Sequence, residues 1–67
     1  MLCRFTFIPD GTVLIYRGQP GDTYEGALLS FGFNPDTALI FHQGRSIPQD
    51  EKIEVEEVEV FLASSRG

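Results

Sequence analysis

Sixty-seven residues hold one domain at most, and a domain this small buries only about 60% of the surface its unfolded chain exposes, leaving no room for a cleft between subdomains. Hydrophobic residues make up 42% and charged residues 22%, a globular rather than a disordered composition. Five Lys and Arg against ten Asp and Glu give a net charge of −5, which disfavours nucleic acid and anionic membranes and suits a basic protein partner.

The single cysteine, Cys3, excludes an internal disulfide framework and a Cys-based zinc site. It points to a reducing compartment. Met1-Leu2-Cys3-Arg4 has no signal-peptide character, and the apolar run Val13-Leu14-Ile15-Tyr16 is too short to span a bilayer. A cytoplasmic location is the expectation.

Cys3-Arg4-Phe5-Thr6-Phe7 alternates apolar and polar, so Cys3, Phe5 and Phe7 face inward on a half-buried strand. Pro9-Asp10-Gly11 breaks the pattern, and residues 2–8 and 12–17 read as an antiparallel hairpin. Gly18-Gln19-Pro20-Gly21 is a loop. Asp22 then stands as the N-cap of a helix over residues 22–31, with Glu25 reaching back in a capping box. Tyr24, Ala27, Leu28 and Phe31 share one face of that helix, and Gly32 suits the position just past its end. Gly26 inside the helix costs about 1 kcal/mol relative to Ala, so packing on a sheet must hold it.

After the breaker Asn34-Pro35-Asp36, the run Ala38-Leu39-Ile40-Phe41-His42 predicts a buried strand, and Gln43-Gly44 a tight turn into a short strand, Arg45-Ser46-Ile47. Residues 48–52 are a polar connection. Glu57-Val58-Glu59-Val60-Phe61-Leu62 alternates again, with Val58, Val60 and Leu62 inward and Glu57, Glu59 and Phe61 outward. One helix over one sheet makes a two-layer α+β domain.

Little here resembles an enzyme. His42 is the only histidine and lacks a Ser or Cys partner at a recognisable spacing; Cys3 sits on an apolar face; no phosphate loop or metal-ligand spacing is present. Glu54, Glu56, Glu57 and Glu59 read either as a solvated strand face that blocks edge aggregation or as a docking strip for a basic groove. Phe61 packs on a neighbouring strand's outer side chain or marks a partner-binding patch. The end of the chain, Ser64-Ser65-Arg66-Gly67, is small and polar. Such a tail can thread a narrow channel and present the Gly67 carboxylate to ATP.

Asn34-Pro35-Asp36-Thr37-Ala38-Leu39-Ile40, then Gln43-Gly44-Arg45-Ser46-Ile47-Pro48, then Glu57-Val58-Glu59-Val60 before the tail resemble the ubiquitin-like β-grasp sulfur carriers. That family includes the small subunit of molybdopterin synthase, the thiamine sulfur carrier and the ubiquitin-related modifiers of tRNA thiolation. The resemblance implies a β-grasp with a mixed four- to five-stranded sheet on one short helix, its first and last strands paired. It implies one domain over residues 1–63 and a flexible C-terminal tail, 64–67.

The function implied is that of a carrier substrate, not an enzyme. An adenylating, ubiquitin-activating-like enzyme would use ATP to activate Gly67, the glycine would become a thiocarboxylate, and a sulfur-acceptor enzyme would take the sulfur for cofactor biosynthesis or tRNA thiolation. No bound cofactor, nucleic acid or membrane enters this scheme. Ser64, Ser65 and Arg66 form the threading tail, and Phe61 and Glu59 the partner-binding surface. The sequence departs from the family at Arg66-Gly67, where the family has Gly-Gly, and at Glu54-Val55-Glu56, where it often has an Asp-Gly-Asp turn. The alternative reading is a non-conjugating ubiquitin-like interaction module centred on Phe61. A small oligomeric protein, extended through an unpaired strand edge, is a third.

Overall fold

Residues 1–63 are described by the computed structural model. The first two strands, β1 (Leu2–Ile8) and β2 (Thr12–Arg17), form the expected antiparallel hairpin, with Phe5 opposite Leu14 and Cys3 opposite Tyr16. A short helix, α1 (Tyr24–Ser30), follows, then a single 3₁₀ turn at Pro35–Thr37. The remaining strands are β3 (Ala38–His42), β4 (Arg45–Ile47) and β5 (Glu57–Leu62). All five lie in one sheet in the order β2-β1-β5-β3-β4. The β1–β5 pair is parallel and central, and the other pairs are antiparallel.

The inward faces of the central strands and the helix make one core. Cys3, Phe5, Phe7, Ile40, Val58 and Val60 come from the sheet, and Tyr24, Ala27 and Leu28 from α1. Phe31, just past the helix, meets Phe5 edge-on with ring centroids 5.4 Å apart. Phe33 stacks on Phe7 at 4.7 Å. Aromatic pairs of this kind add about 0.5–1.5 kcal/mol each beyond their area burial.

The helix start differs from the sequence expectation. Thr23, not Asp22, is the N-cap, and its Oγ1 accepts from the Gly26 N–H at 3.2 Å. Asp22 turns back to the preceding loop, accepting from the Gln19 N–H and the Tyr16 hydroxyl. Two local acceptors competed for the cap, and the loop claimed the carboxylate. At the other end, the Phe33 N–H donates to Leu28 O at 2.9 Å and the Gly32 N–H to Leu29 O at 3.0 Å, a Schellman closure. It requires the positive φ of +93° that Gly32 adopts.

Three further expectations change. β3 is half-buried, not fully buried: Ala38 and Ile40 face the core, whereas Leu39 is 56% exposed on the opposite face. Leu62 has inward parity, but it lies beyond the reach of α1 at the strand end and is 38% exposed. Residues 48–52 are more than a polar connection. The Gln49 carbonyl accepts from Glu25 N–H and the Glu51 carbonyl from Tyr24 N–H, so this segment satisfies backbone donors at the start of α1. It then delivers Ile53 into the core. The Gln49 amide also donates to the carbonyls of Pro35 and Ala38, tying the segment to the start of β3.

Candidate functional site

Strand alternation decides which side chains meet on the sheet face away from α1. On β5 the outward residues are Glu57, Glu59 and Phe61, and on β3 they are Leu39 and Phe41. The antiparallel register sets Leu39 opposite Phe61 and Phe41 opposite Glu59. The rings of Phe41 and Phe61 pack edge-to-face, centroids 5.3 Å apart and planes at 84°. Phe61 thus rests on a neighbouring strand's outer side chain and still leaves 39% of itself exposed. Leu39, Phe41 and Phe61 make a shallow apolar depression bordered by Gly44 and Glu59. Gly44 belongs to the two-residue β3–β4 turn, where Gln43 at φ +52° and Gly44 at φ +82° match the twist of the flanking strands. Its missing side chain leaves that border low.

Glu59, expected from the resemblance to share a partner-binding surface with Phe61, is exposed and borders both this patch and a polar notch. Thr6, His42, Glu57 and Glu59 line that notch. The His42 Nδ1 lies 2.9 Å from the Glu57 carbonyl oxygen, which can only accept, so Nδ1 carries the proton. The imidazole is thereby held against the backbone of β5. Glu57 pairs with Arg4 across the parallel β1–β5 step. Both side chains are about half exposed, and a pair in that setting contributes about 0–1 kcal/mol. Glu54, Glu56, Glu57 and Glu59 are all exposed, and of these Glu59 borders the apolar patch, whereas Glu54 and Glu56 lie near Met1 and Leu2.

The final described backbone bond runs from the Ala63 N–H to the Thr37 carbonyl at 2.7 Å. It pins the chain just past β5 beside the patch. Ser64, Ser65, Arg66 and Gly67, the tail singled out from the sequence, lie outside the described residues. Leu39 and Phe41 join this site only through the fold. Strand periodicity puts Leu39 and Phe41 on one face of β3, and the β3–β5 register sets that face beside Phe61.

Cys3 is buried in the core, and burial, reinforced by the Glu57 charge, pushes its thiol up to about 11. A neutral, enclosed thiol is a packing group, not a nucleophile. Among the described residues, no three His, Cys, Asp or Glu side chains converge to hold a metal ion, and no helix is long and apolar enough to cross a membrane. What this face presents is an apolar patch bordered by Glu59, next to the point where β5 ends.

Comparison with known proteins agrees with this geometry. A computationally designed protein based on the template of human erythrocytic ubiquitin, solved by NMR in solution, superposes with a TM-score of 0.69. It is 17% identical, and the match covers 98% of this chain and 95% of that one, which shows a ubiquitin-like fold. No curated protein matches the chain. The family model described as small archaeal modifier protein 2 matches residues 10–62, from the first turn through the last strand. On that match, which spans most of its length, this ubiquitin-like chain belongs to the small archaeal modifier protein 2 family.

Proposed function

We propose that this small modifier acts as a sulfur carrier whose Gly67 carboxylate is the reacting group. A carboxylate oxygen of Gly67 attacks the α-phosphorus of ATP on an adenylating enzyme and releases pyrophosphate. Sulfide, delivered by that enzyme system, then displaces AMP from the acyl-adenylate and leaves a thiocarboxylate. A sulfur-acceptor enzyme consumes it in cofactor biosynthesis or tRNA thiolation. ATP belongs to the partner, and the chain is the substrate. Ser64, Ser65 and Arg66 are the proposed threading tail.

The observation that carries this reading is the patch that Phe61, on the strand that leads to the tail, forms with Leu39 and Phe41 of β3, within a member of a modifier family. A partner holding the patch would also lie beside Ala63, the residue from which the tail continues. Its proposed docking surface is an apolar pocket with cationic groups facing Glu59 and Glu57. The same patch also supports the second reading, a non-covalent interaction module that never undergoes activation.

Pyrophosphate exchange with the cognate adenylating enzyme separates the two. Deletion of Gly67 should abolish exchange, and intact mass spectrometry of protein from native cells should find sulfur in place of one carboxylate oxygen at Gly67. If exchange survives that deletion, the carrier reading fails. If Phe61→Ala abolishes partner binding while removal of residues 64–67 leaves it unchanged, the interaction module replaces it.

A further inference from the structure

The two edges of the sheet are built differently. On one side β4 is three residues long, carries Arg45 and ends against Pro48, the short and charged design that discourages strand pairing. On the other, β2 runs six residues with no charge or proline from Thr12 to Tyr16. Its backbone directions follow from one pair. Met1 N–H donates to Gly18 O and Gly18 N–H to Met1 O, both at 2.9 Å, so Met1 and Gly18 form a mutually bonded pair. Bonded and non-bonded pairs alternate along an antiparallel ladder. Tyr16 and Leu14 therefore point their backbone groups at β1, while Val13, Ile15 and Arg17 point theirs off the sheet edge. The side chains of these three also lie on the outer face, with Val13 and Ile15 each 48% exposed. Free N–H and C=O groups and exposed β-branched side chains thus coincide on the same residues.

We propose that two copies of this chain associate through antiparallel pairing of their β2 edges, making one continuous sheet across a two-fold axis. The sequence of the edge is complementary to itself. With Leu14 opposite Leu14 of the second copy, Val13 of each copy stands opposite Ile15 of the other. All four of these residues present edge-facing backbone groups, and their side chains form an apolar cross-strand cluster. The same register brings Arg17 of each copy beside the Asp10–Gly11 turn of the other, so a cation meets a carboxylate at both ends of the interface. A one-residue slip would turn outward residues against inward ones and lose the backbone match. The acidic residues Glu57 and Glu59 lie on β5, two strands in from this edge, and do not face the seam. Nothing in this pairing draws on residues 64–67, so the carrier reading stands or falls separately.

Sedimentation equilibrium of the full chain, from micromolar to millimolar concentration, tests the proposal together with amide hydrogen exchange. A concentration-dependent dimer is expected, with exchange at Val13 and Ile15 slowed in the concentrated sample. Ile15→Lys changes only the exposed face and should give a folded monomer. Arg17→Glu should weaken association by about tenfold or more, and combining it with Asp10→Arg should restore the dimer. Circular dichroism of each variant establishes that it folds. A monomer at every concentration overturns the proposal, as does a dimer that survives Ile15→Lys or whose slowed amides lie away from β2.

Discussion

The Tyr16 hydroxyl donates to Asp22 Oδ2 at 2.7 Å, and the Gln19 N–H donates to the same oxygen at 3.0 Å. One carboxylate thereby closes the loop between β2 and α1. The Gln19 N–H, and after it the Tyr16 hydroxyl, hold the Asp22 carboxyl below its ordinary 3.8. The bond to Asp22 in turn pushes the Tyr16 hydroxyl above its ordinary 10.0. A carboxyl lowered by folding stabilises the fold fully above its unfolded value, and that contribution disappears as pH falls through the lower folded value. Thermal unfolding across acid pH should therefore show an acid limb that flattens in Asp22→Asn. Tyr16→Phe should leave part of it, because the Gln19 donor remains. An unchanged acid limb in Asp22→Asn would remove this loop closure as its source.

Ile53 should behave as a core residue despite its polar neighbourhood in sequence. It is 7% exposed and belongs to the cluster around Phe5 and Leu28. Ile53→Ala is expected to cost about 2–5 kcal/mol, the range for emptying a buried aliphatic site. Leu29→Ala, on the outward side of α1, should stay within about 0.5 kcal/mol. Urea denaturation of the two variants compares them directly, and equal losses would contradict the packing described for residues 48–53.

A substitution at Gly32 isolates backbone strain. A Cβ built there meets no atom within 4 Å, yet the residue sits at φ +93°. Gly32→Ala should thus cost about 1–2 kcal/mol without any steric clash, since L side chains disfavour that conformation. Its signature is a lower unfolding midpoint with unchanged helix content in the folded protein.

The Cys3 thiol should be silent in the folded state. With its ionisation raised from 9.0 to about 11, it presents almost no thiolate at neutral pH, and burial blocks access as well. A thiol reagent at pH 8 should react only after denaturant is added. In the unfolded chain the thiol ionises first, so this residue's contribution is complete below about 9 and is lost as pH rises from about 9 to about 11. Cys3→Ala should remove that alkaline loss while opening a small cavity. Rapid labelling of the native protein would refute the enclosed position.

Strand boundaries and the end of α1 are legible because their signals are local. Alternation in Cys3–Phe7 and Glu57–Phe61, the turn chemistry of Gln43-Gly44 and the glycine after Phe31 each state their own geometry. The helix cap is ambiguous in the sequence because Asp22 and Thr23 are both competent acceptors. Only the folded position of Tyr16, six residues earlier in sequence, decides between them. Ile53 was passed over for a related reason. A lone apolar residue amid Asp50, Glu51, Lys52 and Glu54 has no period, and its burial depends on the segment folding back to the start of α1. At the candidate site Phe61 was legible from alternation, whereas its edge-on partner Phe41 depended on the β3–β5 register, which no single segment encodes.

The position of β5 has a consequence for how this chain can be made. Its neighbours on either side are β1, the first strand in sequence, and β3. Until residues 57–62 have been synthesised, the β1–β2 and β3–β4 hairpins share no strand partner, and two-stranded hairpins alone are marginal in water. Assembly of the sheet must therefore wait until β5 has left the ribosome. A chain broken off before Val58 would release two ribbons with exposed aromatic faces, a ready target for the protein-degradation machinery.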